Sequence, residues 1–239
     1  MDESAPHRHR REPCYILLMS RQRSEYTVAL HQPDFLPWSG FFHKMAMSDH
    51  WIAAHNFQFQ KHGMMRRAAM RSTWVTLPLV GKGKLAPMDT LTVAPGWQSK
   101  LVNAIEGRYR SSKYFNARGP QLLDGIKRIR VSQLDLVNME LIHIVREILQ
   151  ISTPVSHVSD CTLSGVDRLI YELSAVGAER YISGNGARAY LGPDQIKKFN
   201  EAGIRVTFSN HAPTTSDSIV TLIMDHPDPL EAVLRTHAN

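Results

Sequence analysis

The chain has 239 residues, a formal net charge of +6, 43% hydrophobic residues and two cysteines. The apolar content supports a sizeable core and excludes wholesale disorder. Two cysteines exclude a disulfide scaffold or a four-cysteine zinc ribbon, and no run nears the ~18 apolar residues of a bilayer span. The first 25 residues carry a basic run, Arg8 to Arg11, then a short apolar stretch, Tyr15 to Met19. That stretch is too short for a signal core and no small-residue cleavage site follows it. Residues 1–25 are therefore expected to be a disordered extension, with a start at Met19 also open, and the protein to be cytoplasmic.

The body reads as one α/β domain over 26–239 with a helical insertion around 98–150. Tyr26 to Leu30 is a β-rich run ending at His31. Pro33 and Pro37 bracket a loop, and Ser39 to Met47 follows as a helix. Trp51 to Ala54 is a second strand, and Trp74 to Leu79 a third, with Pro78 placing it at an edge. Val80 to Pro87 is a glycine-rich loop and Leu91 to Val93 another short strand. Apolar spacing predicts helices over 98–109, 120–130 and 131–149. Val155 to Val158 then reads as a strand, Gly165 to Val176 as a helix, Arg180 to Ser183 as a strand, Pro193 to Ala202 as a helix and Ile204 to Phe208 as a strand. Leu230 to Arg235 is a last helical piece. Alternating strands and helices imply a mainly parallel sheet.

Three segments that leave strands carry polar and aromatic residues, and in open α/β sheets ligands bind beyond the carboxyl ends of strands. The first runs from His31, Gln32 and Asp34 to Trp38, Gly40 and Lys44. Gly40 permits close approach of backbone, and a helix starting near Ser39 offers free N–H groups to an anion. Loop shaping by Pro33, Pro37 and Trp38 is the alternative. The second holds His55, Asn56, Gln58 and Lys61, with Arg66 and Arg67 behind. It would grip phosphate or carboxylate, or else form a solvated basic face. The third, Ser183-Gly184-Asn185-Gly186 with Tyr190, would present backbone N–H groups to an anion, or use its glycines for turn geometry alone. It is not the dinucleotide fingerprint, and the sequence names no cofactor.

His31, His43, His50, His55 and His62 fall close together, but none forms His-Glu-x-x-His and no cysteine pair completes a ligand set, so no metal is expected. Cys161 lacks a nucleophile signature, and Ser183 lacks the Gly-x-Ser-x-Gly elbow.

Together these segments resemble the WbqC-like family of bacterial proteins. The resemblance rests first on His31, Gln32, Pro33, Pro37, Trp38, Gly40 and Lys44, then on Gln58, Phe59 and Lys61 with a following Arg. A third block comprises Tyr181, Ser183, Gly184, Gly186, Tyr190 and Leu191, with Phe199, Gly203, Ile204 and Val206 after it. The chain departs from the family where His55 and Asn56 replace an acidic residue, and where His211-Ala212-Pro213-Thr214 replaces a Pro-Tyr-x-Gln element. The resemblance implies a place in surface-polysaccharide (O-antigen) gene clusters or small-molecule biosynthesis. A weaker likeness is to the start of nucleotidyltransferase-type, Rossmann-like α/β domains, whose His-x-Gly-His loop has Trp38 and Phe41 here in the two histidine places.

Two function classes follow. One is an acyl or aminoacyl transferase, or an amide-forming ligase, acting on an amine in natural-product or surface-polysaccharide biosynthesis. There His31 is the general base, Gln32 and the Ser183 to Gly186 segment orient a carbonyl or oxyanion, and Lys61, Arg66 and Arg67 hold phosphate. A nucleotide-sugar modifying enzyme is the alternative within that class. The other is a non-catalytic carrier-docking or nucleic-acid-binding module, which would use the basic stretch with Trp74, Trp97 and Tyr109. The positive charge is local: residues 61–113 hold ten Lys and Arg against Asp89 and Glu106. The expected partner is therefore a phosphate-bearing small molecule, a phosphopantetheine-bearing carrier protein, an aminoacyl-tRNA or a nucleotide, rather than DNA or a membrane.

Overall fold

The computed structural model describes residues 25–60, 63–81 and 86–237. The Arg8 to Arg11 run, Cys14, the apolar stretch to Met19, and Lys61 lie outside the described residues. Five parallel strands form the main sheet: β1 (Thr27–His31), β2 (His50–Ala53), β5 (Val155–His157), β6 (Arg180–Ser183) and β7 (Arg205–Phe208), in the order β5-β2-β1-β6-β7. β1 is central, and Thr27, Val28, Ala29 and Leu30 are all buried, as a strand covered on both faces requires. Its register sets Val28 beside His50 and Tyr181 on its two neighbours. The α/β class with a mainly parallel sheet is the one the sequence predicts.

Helices cover both faces. On one lie α1 (Ser39–Ala46), α2 (Trp97–Tyr109), α3 (Phe115–Arg128), α4 (Leu134–Leu149), α7 (Ile219–Asp225) and α8 (Pro229–Leu234), sharing a core with Ala29, Phe41, Trp51 and Ala53. On the other lie α5 (Gly165–Ala175) and α6 (Pro193–Glu201), packed on Val28, Leu30, Ile52 and Tyr181. The alternation of Val28 and Leu30 to one face with Ala29 to the other is the period of a strand buried on both sides. Among the described residues no helix is long and apolar enough to cross a membrane.

Several elements differ from the sequence expectation. The strand predicted at Trp74 to Leu79 is β4 (Thr73–Thr76), paired antiparallel with β3 (Arg67–Met70) in a separate hairpin. β3 reads Arg-Ala-Ala-Met and has no β-branched residue to announce it. Its turn residues Arg71 and Ser72 both have left-handed φ, 53° and 58°, the geometry of a two-residue hairpin turn without its usual Asn-Gly. The Asp217 carboxylate accepts from both their amides and holds the turn. Leu91 to Val93 forms isolated bridges instead of a strand. α3 begins five residues before Pro120, which sits inside it. The run Ile219–Asp225, rich in β-branched residues, is helical because every position but the last is buried and Ser218 caps it by accepting from Val220 N–H.

Candidate functional site

Where the order reverses, β1 runs out to a crossover on one side and β6 to a crossover on the other. The crevice between their carboxyl ends is the topological switch point of the sheet. A cleft of about 810 Å³ opens there. His31, Gln32, Trp38, Gly40 and Lys44 line it from the β1 side, and Ser183, Gly184, Asn185, Gly186 and Tyr190 from the β6 side. The first and third predicted segments therefore meet in one cavity, although about 150 residues separate them in sequence.

The β1 loop is pinned from several directions. Asn138 on α4 donates from its amide nitrogen to the carbonyls of Pro33 (2.8 Å) and Met65 (2.6 Å). Ser218 Oγ donates to the Leu36 carbonyl at 2.7 Å, Ile219 N–H to Pro37, and Phe35 N–H to Met64. These bonds hold Leu36 at φ 40°, a left-handed conformation that a non-glycine residue resists by roughly 1–2 kcal/mol. The loop is thus a rigid wall. Trp38 lies across Gly40, so closely that a β-carbon there would stand 2.4 Å from its ring. Glycine at 40 makes room for this contact.

His31 presents its imidazole to the cleft. Nδ1 lies 2.9 Å from the Gln32 carbonyl oxygen, so Nδ1–H donates there and Nε2 is the accepting nitrogen. The Phe41 ring meets it edge-on at 5.2 Å. Its side chain keeps 36% of its surface, and His31 lines the cleft. Burial, aided by the nearby Lys44 ammonium, pushes its pKa down to about 3. His31 is therefore neutral at physiological pH, free to accept a hydrogen bond but a weak base while the cleft is empty.

Asp34 lies behind it, with Oδ2 3.8 Å from His31 Nδ1. Burial raises its carboxyl to about 7, partly offset by Lys44. Lys44 is only 5% exposed, and burial lowers its ammonium to about 8 against the pull of Asp34. Asp34 does not line the cleft and acts on it through charge. On the opposite wall Ser183 Oγ donates to Tyr181 Oη at 3.3 Å, and Tyr181 is pushed up to about 12 by burial. Residues 185–189 form a short 3-10 helix, not an open turn.

The second predicted segment divides. Phe57 and Gln60 line the cleft, whereas His55, Asn56, Gln58, Arg66 and Arg67 do not. The His55 ring packs edge-on to His157 at 5.4 Å, next to the buried Asp135 whose carboxyl desolvation raises. Asn56 Oδ1 accepts from Arg168 Nη2 at 2.7 Å, and the Arg168 guanidinium lies 4.8 Å from the Phe57 ring, which it holds against the cleft. The backbone of Gln58 pairs with Pro87. Arg67 stacks on Trp74 at 4.3 Å, and Arg71 forms an ion pair with Asp225 at 2.6 Å. Two cations of the basic segment are thereby engaged within the fold.

The sequence left out Ser209 and left the role of His211 open; both line the cleft. They follow β7, and position after a strand is the same signal that marked the other segments. His211 Nδ1 donates to the Arg235 carbonyl at 2.9 Å, so its Nε2 accepts from Ser39 Oγ at 2.7 Å. Its ring stacks on His43 at 4.8 Å and tilts against Trp38 at 5.7 Å. Leu30, Ala54, Val166, Leu169 and Ala187 add an apolar wall. Among the described residues no three His, Cys, Asp or Glu side chains are grouped to hold a metal ion. The groups suited to an anionic cofactor or substrate are Lys44 and the polar edge of the β6 wall.

A model of the WbqC-like protein family matches residues 32–216, and the chain belongs to that family. It is similar to the uncharacterized protein Rv1507c of Mycobacterium tuberculosis, 27% identical over 192 residues, which cover 77% of this chain and 82% of that protein. No solved structure matches the chain.

Proposed function

We propose, taking membership of the WbqC-like family as premise, that the cleft is an active site for transfer of an acyl or aminoacyl group to an amine. The product would be an amide in natural-product or surface-polysaccharide biosynthesis, made in the cytoplasm. One observation carries this reading: a neutral imidazole with its accepting nitrogen free stands beside a buried ammonium at the switch point of a parallel sheet. An amine acceptor needs a group that takes its proton as nitrogen attacks the carbonyl, and His31 Nε2 offers that lone pair. The proton then passes to the leaving group as the carbonyl re-forms. Gln32 and the Ser183 to Gly186 segment, which line the cleft, would orient the carbonyl and its developing oxyanion. A positioned base of this kind contributes roughly 10²–10⁴-fold.

A nucleotide-sugar modifying activity is the second reading. It is favoured by the apolar wall of Leu30, Val166, Leu169 and Tyr181, with Tyr190 at the mouth, which suits a flat ring. The two separate in one experiment. The protein is incubated with amine acceptors and either acylated carrier protein, aminoacyl-tRNA or nucleotide-sugars, and products are read by mass spectrometry. An amide product supports transfer; a modified sugar without an amide supports the second reading.

A further inference from the structure

We infer that Lys44 is the receptor for an oxyanion, carboxylate or phosphate, carried by the substrate, and that filling this subsite makes His31 a working base. This rests on the transfer reading above and names the chemistry its substrate must carry. Lys44 projects from α1 into the cleft while 95% of its surface is covered, as its 5% exposure states. No side chain among the described residues stands within ion-pair distance of its Nζ; Asp34 reaches it only through longer-range charge attraction. A buried ammonium without a hydrogen-bonded counter-charge carries an uncompensated desolvation cost. An oxyanion entering the cleft supplies what the fold withholds.

The opposite wall presents backbone rather than charge at this point. Gly184 stands against Lys44, where a β-carbon would lie 3.6 Å from Nζ, in ordinary contact. Among the described residues, Arg66 and Arg67, which the sequence also suits to phosphate, lie outside the cleft.

The link to His31 is electrostatic. Among the described residues, the titratable groups around that imidazole are Asp34 and Lys44 from its own loop and α1, Tyr181 and Tyr190 from the β6 side, and His211 after β7. Burial raises both tyrosines and lowers His211, so at neutral pH these three are uncharged. Burial is the larger cause of the low His31 pKa, and Lys44 is the cation among the described residues that adds to it. An anion bound to Lys44 cancels that field and adds its own negative charge. An opposite charge within ~4–6 Å raises a basic group by about one to three pH units.

The test is an NMR titration of the His31 imidazole in the full chain, its signal assigned by its loss in His31→Gln. Three conditions are compared: chloride buffer alone, inorganic phosphate and acetate. His31 is expected to titrate near its depressed value in buffer, and about one to three pH units higher with phosphate or with acetate. The effective anion identifies the group the substrate carries. Lys44→Met, which keeps the volume of the side chain, is expected to abolish the rise. A midpoint unmoved by both anions, or moved equally in Lys44→Met, overturns the inference. An anion-dependent midpoint in a protein that forms no amide would remove the transfer reading and leave the subsite standing.

Discussion

The side-chain amide of Asn138 donates to the Pro33 carbonyl at 2.8 Å, tying helix α4 to the loop that carries His31, Gln32 and Asp34. Its second amide hydrogen goes to Met65, where the chain returns past the same loop. Asn138 is wholly buried, so neither carbonyl has water to fall back on. Replacing it with Leu leaves two buried acceptors unpaired, at roughly 1–3 kcal/mol each. Asn138→Leu is therefore expected to lower the urea midpoint at an unchanged slope and to weaken substrate binding together with turnover. A variant as stable as the parent would contradict the role given to this residue.

His43 predicts an acid sensitivity. It is 1% exposed, its Nδ1–H donates to the Val233 carbonyl, and burial lowers its pKa to about 4 from 6.5. Between those values the unfolded chain binds a proton that the folded chain refuses. Its contribution is thus fully present above pH 6.5 and is lost as the pH falls toward 4, by about 3 kcal/mol at most. His31 acts in the same direction. Asp34 acts in the opposite one, because its raised carboxyl stabilises at low pH and loses that effect as the pH climbs through 7. Comparing urea melts of the parent and His43→Met at pH 7 and 4.5 isolates His43. The gap between them should narrow or reverse at the lower pH, and parallel curves would contradict its assignment.

Gly40→Ala tests the aromatic wall. The added methyl meets the Trp38 ring, which is 43% exposed and can swing outward. Stability should fall by no more than about 1 kcal/mol, the scale of off-rotamer strain, while the cleft loses one wall. The expected result is a several-fold rise in KM with a shift in tryptophan emission. An unchanged emission spectrum would show that Trp38 does not rest on Gly40.

Asp217→Ala tests the hairpin. It frees the amides of Arg71 and Ser72 and the Thr221 hydroxyl together. A loss of about 1–3 kcal/mol is expected, with hydrogen exchange accelerated at residues 67–76 and not at β1. Uniform acceleration would place Asp217 in the global core instead.

Much of this was legible in the sequence because position after a strand is a local signal. His31 and Ser183 each end a strand run, and the helix from Ser39 follows the loop that Pro33 and Pro37 bracket. That the first and third segments face each other depends on β6 pairing with β1, a long-range contact that no local pattern announces. The same limit explains Arg66 and Arg67. Basic residues close behind the Gln58-Phe59 block suit a phosphate grip, but β3 turns Arg67 onto Trp74. His55 fails to reach the cleft although its neighbours Ala54 and Phe57 line it. α7 was hidden because its β-branched residues favour strands, and burial overrides that preference. His211 carried the right signal, a histidine just past a strand, but without the residues that would have aligned it with the family pattern.

The central claim is that His31 takes the proton of an attacking amine in this cleft. Its most direct measurement is amide formation by the parent and by His31→Gln, followed by mass spectrometry with the donor that supports turnover. The account predicts a loss of roughly 10²-fold or more in His31→Gln, with anion binding at Lys44 retained. Amide formation at the parental rate in that variant would contradict it.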